Sequence, residues 1–402
     1  MTPRPDLLLT FDFPPMGGGI ARWMAELALR YPAGELIVST GQPDTPADDA
    51  RFPNRIDRLA LPSRRLKTLA GLVLWSRRVT TILHDEAPGF LWCGNLRPAA
   101  YPAKWAHERS GIPYGVMVHG GDLLGLRHNY RESRVKRLAA RTLLGSAEVL
   151  VANSRWTHDV ACEVLRELGL ADRTLRVRVV PLGTDPDVFR PGLDPAPLVA
   201  SHRLPPGRWL TTVARLVPHK GIDTTIQALA ILGAEFPELH YAIVGEGSHQ
   251  PSLETLAAEA GVGSRVHFLT DVTDEMLPFA YALSDVYVGV SRQTARDVEG
   301  FGIALLEASA SARPVVAGLS GGMPDAVKDG ETGFLTNSED PAAVASAIAR
   351  ILRDPALARR LGAAGRGAVE SFYNWDRVVG DLRALSATAA PARPRSRGSG
   401  RP

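Results

Sequence analysis

The sequence predicts an α/β protein with two domains, each built around a mostly parallel sheet. Its 402 residues exceed what one ordinary hydrophobic core accommodates. Short apolar runs alternate with longer amphipathic stretches along the chain, which is the pattern of strand–helix–strand units. The proline-rich stretch PGLDPAPLVASHRLPPG (191–207) interrupts this alternation, which then restarts. We therefore expect a linker at this stretch.

The first domain is expected over residues 1–193. Several short apolar runs in it predict buried strands. These runs are 8–11, 35–39, 89–93, 114–118, 147–152 and 176–180. Helical periodicity predicts helices between them, at 19–30, 98–110 and 154–168.

The second domain is expected over residues 205–371, where the same alternation returns. Its apolar runs predict strands at 209–214, 241–245, 266–270, 285–290 and 314–318. Helices are predicted at 221–233, 250–261, 302–312 and 340–353, and a further amphipathic helix at 372–387. The Pro/Arg-rich tail 388–402 has no apolar periodicity, so we expect it to be disordered.

The composition narrows the class of protein. A formal net charge of +3 gives no reason to expect a nucleic-acid partner. Cys93 and Cys162 lie outside any metal-binding or disulfide pattern, so we expect no zinc site and a reducing, cytoplasmic location. The apolar stretch at the N-terminus is too short for a signal peptide, and no window approaches the roughly 20 apolar residues that cross a bilayer.

Glycines and a histidine follow two predicted strands of the first domain. In doubly wound sheets ligands bind at the carboxyl ends of the strands, and with two such domains we expect the site in the cleft between them. PPMGGG ends with Gly17–Gly19 after the first strand, and HGGD (119–122) follows the strand 114–118. The glycines suit either a ligand anion or a flexible turn. His119 suits either catalysis or a structural role, and Asp122 can cap the next segment.

Two motifs of the second domain favour a phosphorylated sugar ligand. RLVPHKG (215–221) places Arg215 and Lys220 at a strand end just before a helix, which suits a diphosphate better than a solvated loop. VEGFGIALLEA (298–308) places Glu299 and Glu307 on either side of a glycine turn that opens into a helix. Free amides at the helix start can hold phosphate oxygens, while carboxylates accept hydrogen bonds from sugar hydroxyls. A polyol joined through a diphosphate to a ribose satisfies the whole set.

Taken together, these motifs resemble the family-4 retaining glycosyltransferases. The resemblance rests on the motifs above with VANSRWT (151–157), PLGTDPDVFRP (181–191) and GEGS (245–248), and it runs from about residue 8 to 386. It implies the GT-B fold, in which two Rossmann-like parallel-sheet domains face a central cleft. It also implies that the helix 372–387 crosses back to the N-terminal domain, which binds the acceptor, while the C-terminal domain binds the nucleotide sugar.

The resemblance also implies a role for each site residue. Arg215 and Lys220 neutralise the diphosphate, Glu299 binds sugar hydroxyls, Glu307 binds the ribose, and His119 meets the sugar near its 6-hydroxyl. The catalytic positions are then His119, Arg215, Lys220 and Glu299. The donor-binding positions are Gly18, Gly19, Asp122, Gly245, Val272, Phe301, Gly302, Ile303 and Glu307.

The expected activity is that of a retaining hexosyltransferase that needs neither a metal nor a cofactor. The donor is a UDP-, GDP- or ADP-sugar, and the acceptor is a small molecule or a lipid-linked sugar. The D-x-D of TDPDVF, Asp185 and Asp187, follows a strand where aspartates form turns, so we interpret it as structural. Two alternatives are a nucleotide-sugar epimerase of GT-B architecture and a non-catalytic sugar-nucleotide binder, which the complete set of charged motif residues disfavours.

One stretch of the first domain bears on the acceptor. SRRLKTLAGLVLWSRRV (63–79) is basic at both ends and apolar between them. We favour a helix packed on its own sheet, because helices that lie on membranes are the rarer use of such a pattern. The alternative is peripheral contact with the inner face of a membrane.

Overall fold

The computed structural model describes residues 4–42, 49–59, 69–295 and 297–389. The chain forms two compact units. The first runs to Val180 and resumes at Val378, and the second is Pro181–Arg377. The boundary therefore follows Val180, and the proline-rich stretch 191–207 lies inside the second unit rather than linking the two. The reason is burial, since Leu198 is fully buried within that unit.

The first unit contains a seven-stranded sheet in which every described pairing is parallel. Its strands are β1 (Asp6–Thr10), β2 (Leu36–Thr40), β3 (Arg55–Arg58), β4 (Phe90–Cys93), β5 (Tyr114–Val118), β6 (Val149–Ala152) and β7 (Val177–Val179). They lie in the order β3-β2-β1-β4-β5-β6-β7. The order reverses between β1 and β4, which makes this the point where a doubly wound sheet opens a crevice.

Helices cover both faces of this sheet, as parallel strands require. They are α1 (Gly19–Arg30), α2 (Leu69–Glu86), α3 (Ala100–Ser110), α4 (Gly121–Glu132), α5 (Arg134–Ser146) and α6 (Arg155–Glu167). Local sequence explains where some of them begin: the side chain of Ser154 accepts a hydrogen bond from the amide of Thr157, and this N-cap starts α6.

The second unit contains a six-stranded parallel sheet. Its strands are β8 (Arg208–Val213), β9 (Leu239–Val244), β10 (Val266–Leu269), β11 (Val286–Gly289), β12 (Val315–Gly318) and β13 (Gly333–Thr336). The order β10-β9-β8-β11-β12-β13 repeats that of the first six strands in the other unit. The reversal here falls between β8 and β11.

The helices of the second unit complete the fold. They are α7 (Ala196–His202), α8 (Ile222–Leu232), α9 (Gln250–Glu259), α10 (Leu277–Leu283), α11 (Ile303–Ala310), α12 (Met323–Ala326), α13 (Pro341–Arg353) and α14 (Pro355–Ser371). The last helix, α15 (Trp375–Thr388), begins in the second unit and belongs to the first from Val378 onward. Within the first unit its Ser386 donates a 2.8 Å hydrogen bond to the buried carboxylate of Asp6.

Two sequence predictions reach beyond the described residues. Residues 390–402 of the predicted disordered tail lie outside them, and Thr388 ends α15 rather than beginning the tail. Residues 63–68 of the stretch 63–79 also lie outside them, whereas its remainder begins α2. There α2 buries Trp75 and Val79 in the core of its own unit, as the favoured interpretation expects. No helix among the described residues is long and apolar enough to cross a membrane.

Candidate functional site

The reversal of strand order in the second unit brings two loops together. One loop follows β8 and carries Arg215 and Lys220, and the other follows β11 and carries Glu299. Since β8 and β11 are neighbours in the sheet, their carboxyl ends face the same crevice. Residues far apart in the chain are thereby placed at one edge of the sheet.

Lys220 and Glu299 form an ion pair at this edge. The ammonium nitrogen lies 2.5 Å from Oε2 of Glu299, and the side chains are 17% and 22% exposed. Burial alone would raise the pKa of Glu299, but attraction to Lys220 and the hydrogen bond from it hold that pKa below its ordinary value. The carboxylate is therefore ionised at neutral pH and holds the ammonium in a fixed place.

His219 joins the two loops through its backbone. Its carbonyl accepts a 2.8 Å hydrogen bond from the amide of Arg292, and its side chain is buried. Burial, and then the positive charge of Lys220, lower the pKa of His219, so the ring is neutral at physiological pH. The guanidinium of Arg292 reaches back to Asp223, 2.7 Å away at the start of α8. The two loops thus have a fixed relative position before any ligand arrives.

Gly221 allows the loops to approach this closely. Its φ is +68°, and a β-carbon there would collide with the carbonyl oxygen of Val290 in the loop after β11. Only glycine meets both requirements. Any side chain at Gly221 would push the Lys220 loop away from the Glu299 loop.

The motif EGFGIALLE forms a left-handed turn and a short helix. Gly302 has φ +97° and precedes α11, whose start has no side-chain cap, so the first amides of α11 point out of the helix end. Phe301 is buried, and its amide helps to lower the pKa of Glu299. Ile303 is half-buried and begins the helix. A helix therefore starts directly after the loop that carries Glu299.

Glu307 lies deeper than Glu299, on α11. It is 3% exposed and accepts a hydrogen bond on Oε2 from the hydroxyl of Tyr281 on α10. The two acids of the motif consequently have different partners, a cation for Glu299 and a neutral phenol for Glu307.

The remaining predicted residues of this unit occupy neighbouring loops. Arg215 directs an exposed side chain from the loop after β8. Gly245 follows β9 with φ +130° and donates its amide to the carbonyl of Leu269, 3.0 Å away. Val272 is half-buried in the loop after β10. Arg215, Gly245 and Val272 thus each follow one of three adjacent strands.

His119 has a defined ring orientation in the first unit. Its Nε2 lies 2.7 Å from the carbonyl oxygen of Gly94; because a carbonyl only accepts, Nε2 donates this hydrogen bond. The ring also packs nearly perpendicular to that of Trp23, with centroids 5.1 Å apart and an interplanar angle of 87°. Any hydrogen bond from this ring to a ligand would therefore involve Nδ1.

Asp122 contacts the backbone of His119, whereas Gly18 and Gly19 lie at the start of α1. Oδ1 of Asp122 accepts the amides of His119 at 3.0 Å and Leu123 at 2.8 Å, so this oxygen stabilises the loop. The N-cap of α4 is Gly120, which has no side-chain cap, so the prediction that Asp122 caps this helix is wrong. Gly18 has φ +112° and precedes α1, which begins at Gly19. Both glycines are exposed, with open space around the position of a β-carbon at Gly18.

The D-x-D stretch forms a turn. Oδ1 of Asp185 accepts the amides of Asp187 at 2.8 Å and Val188 at 3.3 Å, which confirms the interpretation of Asp185 as a turn former. Within the described ranges, no group of three or more His, Cys, Asp or Glu side chains is arranged to hold a metal ion.

Three residues of this arrangement were not singled out from the sequence. His219 lies inside the RLVPHKG motif, so that motif marked its position without its role. Arg292 and Tyr281 act through contacts to residues distant in the chain, and no local pattern reveals them.

Two protein families match the chain. The model described as Glycosyl transferases group 1 matches residues 201–368, and the model described as Glycosyltransferase Family 4 matches residues 17–188. The first match contains the Lys220–Glu299 pair and the second contains His119.

Two similar proteins have names that include an inositol compound. The chain is 30% identical over 378 residues to the GDP-mannose-dependent alpha-(1-6)-phosphatidylinositol monomannoside mannosyltransferase of Mycolicibacterium smegmatis, covering 92% of this chain and 94% of the relative. It is 32% identical over 314 residues to the D-inositol 3-phosphate glycosyltransferase of Streptomyces scabiei, covering 71% and 67% respectively.

Solved structures match in fold. Anabaena HepE in complex with UDP and glucose superposes with a TM-score of 0.77 at 19% identity, covering 96% of this chain and 100% of that structure. Sucrose-phosphate synthase from Thermosynechococcus elongatus gives a TM-score of 0.76 at 22% identity, covering 96% and 98%. The predicted pair of Rossmann-like parallel-sheet domains is thereby confirmed.

Proposed function

Because this chain belongs to family 4 of the group 1 glycosyltransferases, we propose that it transfers mannose from GDP-mannose to a hydroxyl group of an inositol-containing phosphate. We further propose that the transfer retains the anomeric configuration and needs no metal ion and no cofactor other than the donor. The observation that carries this proposal is the Lys220–Glu299 pair, 2.5 Å apart at the carboxyl ends of two adjacent strands.

The ion pair suits a ligand that carries both a diphosphate and sugar hydroxyls. Lys220 supplies the compact positive charge for the diphosphate, and Arg215, on the same loop, supplies a second cation. Glu299 accepts hydrogen bonds from the sugar. Because the carboxylate fixes the ammonium in advance, little reorganisation is needed as negative charge grows on the leaving group, which is how preorganised electrostatics lower a barrier.

In the proposed reaction one bond to the anomeric carbon replaces another. The acceptor oxygen forms a bond to that carbon while the bond to the diphosphate oxygen breaks, and the acceptor proton passes to the departing phosphate. Arg215, Lys220 and the first amides of α11 stabilise the charge that develops on the diphosphate. No protein nucleophile takes part, and the acceptor attacks on the face that the leaving group vacates, so the configuration is retained.

The nucleotide part is assigned to the second unit. Glu307 binds the ribose hydroxyls, and Gly245 and Val272 border the nucleobase. In the first unit, Gly18 and Gly19 approach the phosphate, Asp122 fixes the loop of His119, and His119 meets the transferred sugar through Nδ1. Each of these roles is proposed from the position of the residue within its own unit.

The donor and acceptor classes are supported by the relatives. Both relatives named above act on an inositol compound according to their names, and the one that spans nearly the whole chain uses GDP-mannose and makes an alpha linkage. Retention yields an alpha linkage from an alpha-linked donor. We extend the proposal to the cytoplasm as the location, with the acceptor reached in solution or at the inner face of a membrane.

A two-step experiment tests this function. GDP-mannose, UDP-glucose and ADP-glucose are first compared for their effect on the melting temperature, since a ligand that binds the native state raises it. The bound donor is then incubated with inositol 3-phosphate or with vesicles that contain phosphatidylinositol monomannoside. GDP-mannose should give a new glycoside with one of them. Hydrolysis or epimerisation of the donor alone, or transfer only from UDP- or ADP-glucose, would overturn the proposal.

A further inference from the structure

A hydrogen bond between Tyr281 and Glu307 links the helices that precede and follow β11 in the chain. Tyr281 lies on α10, which precedes β11, and Glu307 lies on α11, which follows it. The phenol hydroxyl donates a hydrogen bond to Oε2 of Glu307, and Tyr281 is fully buried. A hydrogen bond between two buried side chains restricts both of them far more than a contact in water would.

The ring of Tyr281 is itself held in place. Phe189 meets it edge-on, with ring centroids 5.4 Å apart and an interplanar angle of 90°, and Tyr287 packs against it at 5.6 Å. The carbonyl of Phe189 is in turn bound by the guanidinium of Arg366, 3.0 Å away. Packing therefore fixes the phenol, so the position of its hydroxyl is not free to follow Glu307.

We propose that Tyr281 is a positioning residue that orients the Glu307 carboxylate toward the two ribose hydroxyls of the donor. This inference rests on the proposed function, in which Glu307 binds the ribose. A carboxylate offers about four acceptor sites, enough in number for a phenol and a vicinal diol together. Because the phenol is neutral, it orients the carboxylate without supplying a competing cation, in contrast to Lys220 beside Glu299.

The matched test compares Tyr281→Phe with Tyr287→Phe. The first variant keeps the packed ring and removes the hydroxyl that binds Glu307. The second removes a buried hydroxyl whose hydrogen bonds, among the described residues, are to backbone groups of Val213 at 3.3 Å. Both variants lose a phenol hydroxyl, and the two rings pack against each other. Of the two, Tyr281→Phe is the one that removes the hydrogen bond to Glu307.

The readout is ribose selectivity. Of GDP, UDP and ADP, the one that binds the wild type tightest is compared by calorimetry with its 2′-deoxy counterpart. Loss of one charge-assisted hydrogen bond that orients the carboxylate should lower the affinity of Tyr281→Phe for the diphosphate about five- to tenfold. Affinity for the 2′-deoxy nucleotide should fall much less, so the selectivity ratio shrinks. The donor KM should rise while kcat changes less than about twofold, as for lost uniform binding.

Further variants separate failure of the inference from failure of the proposed function. If Glu307→Gln keeps full ribose selectivity, the ribose role of Glu307 is wrong. If Glu307→Gln loses selectivity but Tyr281→Phe keeps it, or if Tyr287→Phe loses as much as Tyr281→Phe, the inference alone is overturned. The double variant of Tyr281 and Glu307 should be no worse than Glu307→Gln. Any loss of folded protein cancels, since the ratio compares two nucleotides on the same sample.

Discussion

The ammonium of Lys220 lies 2.5 Å from the carboxylate of Glu299, at the ends of two strands that are neighbours in the sheet but separated by 79 positions along the chain. In this arrangement each charge is satisfied by the other. In the proposed reaction a diphosphate therefore competes with Glu299 for Lys220, and the sugar approaches a carboxylate that already has one partner. Removing Glu299 would release Lys220, whereas removing Glu307 would release the hydroxyl of Tyr281. Substitutions of the two acids should therefore have different effects on ligand binding.

Glu299→Ala and Glu307→Ala should affect different parts of the donor. Glu307→Ala should weaken binding of the free nucleoside diphosphate by about 1.5–3 kcal/mol, the scale of a lost charge-assisted hydrogen bond. Glu299→Ala releases Lys220, so diphosphate affinity should stay the same or rise, while the extra affinity contributed by the sugar falls. Calorimetry with the diphosphate and with the intact nucleotide sugar measures both. Equal losses of diphosphate affinity in the two variants would refute the assignment.

Turnover should survive chelation. Asp185 accepts two backbone amides in a turn, and in the proposed mechanism Arg215 and Lys220 provide the positive charge that a metal would otherwise supply. We expect the rate in excess EDTA to stay within about twofold of the untreated rate, because the stabilising charges belong to the protein. Loss of activity with chelator and recovery with Mn²⁺ or Mg²⁺ would contradict this prediction.

A pair of histidines should make stability depend on pH. His240 and His267, on β9 and β10, approach within 3.2 Å, Nδ1 to Nε2, beside Trp209, whose ring stacks on His240 with centroids 5.0 Å apart. Burial, and then the charge of Arg265, lower the pKa of His240. Burial, and then His240, lower the pKa of His267.

The sign of the effect follows from linkage. The unfolded chain protonates these histidines near their ordinary pKa of 6.5, whereas the folded state resists protonation until the pH is lower. The free energy of unfolding should therefore be highest above that value and decrease as the pH falls below it. Urea titrations at pH 7.5 and 5.5 measure the difference. His267→Gln should show a smaller decrease, and an equal decrease would remove the pair as its cause.

Much of the fold could be predicted because buried parallel strands are apolar on both faces. Leu7, Leu8 and Leu9 of β1 are all fully buried, so their pattern alone indicates a strand. The edge strand β3, RIDR, escaped prediction because it has no such run. Its Asp57 is buried and forms an ion pair with Arg78 on α2. Because the two residues are distant in the chain, no local sequence pattern predicts this pair.

The strand-end positions of the candidate residues could be predicted, but the pairing between them could not. Arg215, Lys220 and Glu299 could be placed at strand ends because strand–helix alternation fixes where a strand ends. The ion pair of Lys220 with Glu299 depends on β8 and β11 being neighbours, which follows from the strand order of the sheet and not from either motif. Tyr281 resembles any apolar helix residue until the structure shows Glu307 beside its hydroxyl.

The two cations should matter more to the transition state than to the bound donor, since charge on the diphosphate grows as the glycosidic bond breaks. Arg215→Ala and Lys220→Ala should each lower kcat by roughly 10²–10³, the scale of losing one preorganised charge stabiliser, and should raise the donor KM less. Lys220→Arg should recover only part of the rate, because a planar guanidinium cannot occupy the place of a compact ammonium 2.5 Å from Glu299. Arg134→Ala, which removes an exposed arginine from α5 in the other unit, is the matched control and should leave kcat unchanged. Steady-state kinetics measures these effects, and NMR of the product should show the anomeric configuration of the donor. Unchanged kcat in both alanine variants at the site, or an inverted product, would exclude the retaining mechanism that we propose for these residues.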